Sequence, residues 1–485
     1  MVEASIQTQA AQLDTKRWLT LITLCATQFI VALDFSIVSV ALPTIGRELG
    51  FATTADLQWV VTAFALPFAG LLLLCGRAGD LYGRKKIFLV GLVVFTVTSF
   101  LGGVAQTATQ LLLARAGQGI GAAMLAPTAL SLITTSFREG PQRERALGIN
   151  GSVLSLGFVA GVILGGVITS GLSWRWTMLV NVPVGIVVFA CAFALIKGSR
   201  RNESPQLDVP GAVLVTAGLA SLVYGISTGE TVGWTNIATV ASLIGGLVLL
   251  LFFLAVERRV RAPLASLPLL NLRTVKWGNV IGFITFGMAT GSTVLLTIYL
   301  QEVLGLTPLY AGLSFAPLGL AAILAGSLGP RLIARSSART IMVVGLAVQA
   351  ISTGMLYLLP ENNPMALLLV AMAMLGFGHV LAAVGFVLTV TSGLPDEQQG
   401  LAGGLAQTFQ QMGAAVGIPI IAAVAAAQGE SADGDAAFAE VADVLNGTRA
   451  GGLAGAIILV IGVLIAFFLV PSHQNRTRSG RTLTE

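Results

Sequence analysis

Charge is scarce in this chain. Asp, Glu, Lys and Arg make up 10% of its 485 residues, where a soluble domain carries about 25%. So few charges cannot clothe a water-exposed surface of this size, which excludes a soluble enzyme, a disordered chain and a coiled coil. Histidine occurs only as His379 and His473, and cysteine only as Cys25, Cys75 and Cys191. That inventory holds no metal-ligand cluster, and the three cysteines lie inside apolar runs, where they read as small core residues rather than a disulfide set. The sequence contains no Gly-rich phosphate loop and no nucleotide-binding domain, so ATP-powered transport within the chain is not expected. Paired carboxylates and a nucleophile set are missing as well, and no enzyme activity is expected.

Apolar residues make up 55% of the chain, and the mean hydropathy is +0.87. A helix needs about 20 apolar residues to cross a hydrocarbon core of roughly 30 Å. Thirteen stretches free of Asp, Glu, Lys and Arg meet that need, from 57–76 to 450–475, and Trp18–Gly46 adds one more, interrupted only by Asp34. The reading is an all-α polytopic membrane protein with 14 transmembrane helices. Transmembrane barrels are excluded, because their strands alternate in polarity over about 10 residues. Lys16 and Arg17 precede the first apolar run, but no small-x-small cleavage site follows it, so no cleavable signal is expected.

Of the 27 Lys and Arg residues, all but Arg47, Arg115, Arg175 and Arg449 fall in the termini and in one alternating set of connections. Basic residues stay on the cytoplasmic side, so both termini are expected there. The net charge of +5 thus describes topology, not a nucleic-acid partner. Polar linkers divide the chain as 6+2+6: a six-helix bundle at 1–196, a linker with two additional transmembrane helices at 197–276, a second six-helix bundle at 277–470 and a cytoplasmic tail at 471–485. A weak repeat accompanies the division. Gly76-Arg77-Ala78-Gly79-Asp80 with Gly83, Arg84, Lys85 and Lys86 is placed on the connection after the second span. Its counterpart is Gly326-Ser327-Leu328-Gly329-Pro330 with Arg331, Arg335 and Arg339. Repeated bundles are a common basis for alternating access.

Two charges lie well inside spans, Asp34 and Arg115, each costing about 2.5–3.5 kcal/mol at a helix centre on insertion scales. Counting residues at 1.5 Å each puts Asp34 about 12 Å and Arg115 about 9 Å from the outer ends of their spans. At such similar depths they either pair directly or share one polar cavity. Hydrocarbon burial favours a neutral carboxyl group and a neighbouring guanidinium favours an ionised one. A group held between those pulls can exchange a proton as its surroundings change, which makes Asp34 and Arg115 the proton-coupling candidates; a fixed structural pair is the alternative. Gly76, Asp80, Gly83 and Arg84 are candidates for a gate that latches the inner ends of the bundles. Candidate substrate-binding residues are Phe35, Gln58, Trp59, Phe64, Gln118, Tyr299, His379, Gln407, Phe409, Gln410 and Gln411. Gln118 stands one turn from Arg115 on the same face, and Gln407, Gln410 and Gln411 follow helical spacing. Gly157, Gly161, Gly165 and Gly166 form a stripe suited to close helix packing.

These motifs resemble the major facilitator superfamily, and within it the 14-helix drug:proton antiporter family of multidrug efflux type, over nearly the whole chain. Gly76-xxx-Asp80-xx-Gly83-Arg84-Lys85-Lys86 resembles the superfamily signature between the second and third spans. Leu33-Asp34-Phe35-Ser36 through Pro43 resembles the first-span motif, and Gln58-Trp59 the opening of the second. Arg115-xx-Gln118-Gly119-x-Gly121 resembles the fourth-span motif implicated in proton transfer. Trp174-Arg175-Trp176 and Asn181-Val182-Pro183-Val184-Gly185 resemble the region of the fifth and sixth spans. The antiporter stripe departs from the pattern at Val162, where the family has proline.

The resemblance implies a multi-pass protein of the bacterial cytoplasmic (cell inner) membrane. It would export amphipathic, cationic or zwitterionic drugs or toxic organic compounds in exchange for protons, conferring drug resistance. The expected partners are a small-molecule substrate, protons and the lipid bilayer, with the protein a monomer. No cofactor is expected, the proton-motive force being the driving force, and no metal. An exporter of one dedicated metabolite, antibiotic or lipid is the alternative within the same fold.

Overall fold

The structure is a computed structural model. It describes residues 2–51, 54–137, 141–196, 208–260, 267–360, 365–394, 396–429 and 441–471, with Asp80 and some other helical positions described by backbone only. The described residues form helices α1 (Val2–Leu49), α2 (Thr54–Tyr82), α3 (Arg84–Gly103), α4 (Ala108–Ser136), α5 (Pro141–Gly171), α6 (Arg175–Leu179) and α7 (Asn181–Leu195). They continue as α8 (Val209–Val232), α9 (Ile237–Glu257), α10 (Leu267–Leu270), α11 (Arg273–Ile298), α12 (Pro308–Ser314), α13 (Ala316–Arg335) and α14 (Ala338–Met355). The last are α15 (Met365–Thr391), α16 (Asp396–Gly429) and α17 (Val441–Leu469). Among the described residues, 13 helical segments are long and apolar enough to cross a membrane, and Leu156–Gly171 within α5 adds a shorter apolar run. Together they match the 14 spans expected.

Local chemistry sets the helix starts. The side chains of Thr107, Asp208, Asn236 and Ser337 accept hydrogen bonds from the backbone N–H groups of Gln110, Gly211, Ala238 and Thr340, satisfying donors that a helix start leaves open. One expectation is corrected at the first basic turn. Gly76, Arg77, Gly79 and Asp80 are not on a loop: α2 stays helical to Tyr82, and Gly83 alone separates it from α3. Gly83 has φ of 101°, open to a residue without a Cβ, and that single residue reverses the chain. The long helices alternate between two ends of the molecule, here called the Glu48 end and the Arg84 end.

Packing follows the small residues. A Cβ on Gly157, Gly161 or Gly165 would run into the carbonyl oxygens of Phe29, Leu33 and Ile37, so the glycine stripe of α5 is the seam against α1. The same arrangement recurs later in the chain: Gly413 and Gly417 of α16 sit on the carbonyls of Phe283 and Gly287 of α11. Gly119 of α4 meets the Phe64 carbonyl of α2, as Gly376 of α15 meets the Leu318 carbonyl of α13. Helices α8 and α9 pair with each other, and α8 lies against both α2 and α16, with Thr216 seated on Gly70. Ile244, Leu247, Leu251 and Phe252 on α9 are exposed. Such an apolar surface suits hydrocarbon, where helices satisfy their own backbone groups.

At the Glu48 end α1 and α5 interlock with α11 and α12. Gln301 Nε2 donates to the Val40 carbonyl at 2.8 Å, and the Leu309 N–H donates to Ser170 Oγ at 2.9 Å. Gly166 lies on the Pro308 carbonyl and Gly312 on that of Val162. Gln301 projects from a π-helical turn, Tyr299–Val303, that ends α11. Glu48 ties the same end together, accepting from Trp174 Nε1 at 2.8 Å and Arg175 Nη1 at 2.9 Å.

Candidate functional site

Asp34 and Arg115 meet. Both are fully buried, and Arg115 Nη1 donates to Asp34 Oδ2 at 2.6 Å. The pair is built from five helices. Asp34 comes from the middle of α1. Arg115 and Gln118 project from one face of α4, three residues apart. Asn181 opens α7, Ser99 comes from α3, and α2 contributes a backbone carbonyl.

The pair is held by hydrogen bonds to neighbouring amides and to the backbone. Asp34 Oδ1 accepts from Gln118 Nε2 at 2.9 Å and from Asn181 Nδ2 at 2.6 Å. Gln118 Nε2 also donates to Ser99 Oγ at 2.8 Å, while its Oε1 accepts from Arg115 Nη1 at 2.9 Å. Arg115 Nε donates to the Val60 carbonyl at 2.9 Å, and the guanidinium lies over the Phe64 ring at 4.6 Å. Arg115 Nη2 is buried without a hydrogen-bond partner. Opposite charge, geometry and hydrogen bonds together offset the cost of burying an ion pair. The donors around Asp34 suit a carboxylate. The amides of Gln118 and Asn181 also carry acceptor oxygens, so a half-turn of either amide would accommodate a protonated acid.

The remaining candidates fall into two groups. Phe64 and Gln118 do not line an open cavity in this arrangement. They are fully buried, because Phe64 covers the guanidinium and Gln118 is consumed by Asp34, Ser99 and Arg115. Tyr299 is likewise fully buried, its hydroxyl donating to the Pro360 carbonyl at 3.4 Å. Gln58 is buried. Phe35 is half-buried, its ring 5.9 Å from that of Phe64, and Trp59 packs beside the cluster of Val215, Leu219 and Val223 on α8. On α16, Gln407, Phe409, Gln410 and Gln411 are all partly exposed. His379 is partly exposed on α15, its Nδ1 3.5 Å from Thr285 Oγ1.

Of the gate candidates, Gly76 lets α2 approach Pro127 of α4, Gly83 makes the reversal and Arg84 opens α3; the Asp80 side chain lies outside the described residues. The stripe divides: Gly157, Gly161 and Gly165 face α1, while Gly166 faces α12. Val162, in place of the family's proline, is buried, and α5 runs unbroken past it.

Sequence reasoning gave Asn181 and Ser99 no role beside Asp34. Asn181 had a signal, a lone amide opening an otherwise apolar helix. Ser99 had none, since a serine in a span ordinarily satisfies itself on the preceding turn. The clasp of Glu48 with Trp174 and Arg175 was also unforeseen. Among the described residues, no group of three or more His, Cys, Asp and Glu is placed to hold a metal.

Residues 24–418 match the Major Facilitator Superfamily. The chain is 41% identical to the cephamycin export protein CmcT of Amycolatopsis lactamdurans, over 83% of this chain and 84% of that protein. It is 36% identical to the puromycin resistance protein pur8 of Streptomyces alboniger, over 93% of this chain and 90% of that protein. The fold resembles the crystal structure of the human organic anion transporter MFSD10 (TETRAN), with a TM-score of 0.61 at 14% identity, covering 93% of this chain and 99% of that one. The count of apolar helices agrees with the 14-helix type that the motifs resemble. The chain belongs to the Major Facilitator Superfamily, a superfamily of membrane transporters, and is a multi-pass bacterial membrane protein.

Proposed function

We propose that the protein is a proton-coupled antiporter that exports amphipathic, cationic or zwitterionic drugs or toxic organic compounds by alternating access. The carrying observation is the fully buried Asp34, held by Arg115, Gln118 and Asn181. A proton reaching Asp34 neutralises the partner of Arg115 and leaves a buried guanidinium uncompensated. That imbalance is relieved by rearranging the knot, and α1, α4 and α7 move with it. The two six-helix bundles, 1–196 and 277–470, rock about the seams at α1–α11 and α5–α12, with the two additional helices of 197–276 set beside α2 and α16. The Glu48 end is the outer face in this reading, consistent with the basic residues at the Arg84 end, and its interlock closes the outer side. The proton-motive force drives the cycle without a cofactor, at about 2.3 kcal/mol per charge per 100 mV of potential plus the pH difference. The protein works as a monomer.

The test is uptake into inverted or reconstituted vesicles. Asp34→Asn is expected to abolish dye transport driven by a pH gradient while the protein still reaches the membrane. Unchanged gradient-driven transport in that variant removes Asp34 from the mechanism.

A second reading is export of one dedicated antibiotic or metabolite, favoured by relatives named for cephamycin and puromycin. A growth-inhibition panel decides: protection against many unrelated compounds supports the first reading, and protection against one chemical class the second.

A further inference from the structure

The recurring glycine contacts put the two halves in register. Phe29 and Leu33 of α1 correspond to Phe283 and Gly287 of α11, and Gly119 of α4 to Gly376 of α15. In that register, Met288 and Met372 stand where Asp34 and Arg115 stand, and both are buried. The second half therefore has no counterpart of the ion pair. Its own polar group is Thr285 of α11, Gln349 of α14 and His379 of α15. Thr285 stands three residues before Met288 and His379 seven after Met372, about 5 Å and about 10 Å nearer the Arg84 end than the positions matching the ion pair.

The hydrogens of this group can be assigned by elimination. A backbone carbonyl only accepts, so Gln349 Nε2 donates to the Thr285 carbonyl, at 2.9 Å. The amide oxygen then faces Thr285 Oγ1 at 2.5 Å and accepts a hydrogen bond from its hydroxyl. Thr285 Oγ1 is left with acceptor capacity, and His379 Nδ1, 3.5 Å away, is the donor on that side. A neutral imidazole with its proton on Nδ1 carries a lone pair on Nε2. Phe286 meets the ring edge-on, its centroid 4.6 Å away, and fixes the ring plane. Thr285 and Gln349 are fully buried, whereas His379 is partly exposed. Nε2 has no hydrogen-bond partner among the described residues and is not among their buried unpartnered atoms.

We infer that His379 Nε2 is a hydrogen-bond acceptor subsite for cargo bearing an N–H donor, such as an amine, aryl amine or amide. The inference rests on the export reading and deepens it. A greasy cavity binds apolar bodies without direction; one fixed acceptor adds preference for compounds with a donor to offer. Gln349 and Thr285 are positioning residues, because they set the tautomer without meeting the cargo.

The experiment measures equilibrium binding to the purified full-length protein in detergent. It uses ethidium, which carries aryl amines, and tetraphenylphosphonium, a lipophilic cation without an N–H. His379→Leu removes the acceptor, and His379→Gln restores an acceptor oxygen. The expected result is about tenfold weaker ethidium binding for His379→Leu, the order of one lost hydrogen bond. Tetraphenylphosphonium binding should stay within twofold, and ethidium affinity should recover in His379→Gln. Equal weakening for both cations, unchanged ethidium binding, or no ethidium binding by the wild-type protein overturns the subsite. Ethidium that binds but is not moved by a pH gradient overturns the antiport reading and leaves the subsite standing.

Discussion

Asn181 donates its side-chain amide to Asp34 at 2.6 Å, across 147 positions of sequence. The contact links the opening turn of α7 to the centre of α1, so the carboxylate is gripped from a helix on which no charge lies nearby. Asn181→Leu deletes one of its three donors and should cost about 1.5–3 kcal/mol of stability, the range for a hydrogen bond to a charged group. In vesicles, gradient-driven efflux should fall markedly while Asn181→Gln retains part of it. Wild-type efflux in Asn181→Leu would show that Asp34 works without this grip.

Arg115→Leu should be more damaging than its removal together with Asp34. The single change strands a buried carboxylate and is expected to cost about 3–5 kcal/mol, whereas Asp34→Leu with Arg115→Leu leaves an apolar core. Thermal unfolding of the purified variants, followed by tryptophan fluorescence, reads the difference. A double variant no more stable than Arg115→Leu would mean that the pair is not energetically coupled.

Gly166 and Gly312 set how closely α5 and α12 approach. Gly166→Leu drives a side chain into the Pro308 carbonyl and should force the Glu48 end apart. Cysteines placed at Ser170 and Leu309, now bridged by a 2.9 Å hydrogen bond, should crosslink readily in the parent protein and poorly in the Gly166→Leu background. Equal crosslinking would argue that the seam absorbs the added bulk.

Gly83 supplies the whole reversal between α2 and α3 with φ of 101°. Gly83→Ala should destabilise the protein by about 1–3 kcal/mol, the range for a side chain held in a sparsely populated backbone region. The same substitution at Gly403, where a Cβ would meet nothing, should change the melting temperature far less. Comparable losses at both positions would remove the backbone argument.

Much of the architecture is legible in the sequence. Hydrophobic length and the spacing of charges are properties of contiguous sequence, and a membrane leaves a 20-residue apolar segment little choice but helix. Asp34 and Arg115 stood out for the same reason, since a charge within such a segment needs a partner. Their depths were also readable, because helical rise is constant. The basic and glycine residues around Asp80 have the composition of a turn, yet the helix continues through them to Tyr82.

Which further side chains surround the pair is not legible in the sequence. Nothing near Asn181 or Ser99 in the chain announces Asp34, and the pairing arises only when α1, α3, α4 and α7 pack through their glycines and alanines. Phe64 and Gln118 looked available for cargo because polarity and aromaticity are local, but whether they are already spent is a matter of packing. Composition and periodicity therefore dictated a bundle of spans and singled out its two costly charges. Convergence of side chains from separate helices determined which groups hold those charges, which end of the molecule is interlocked and where an acceptor is left free.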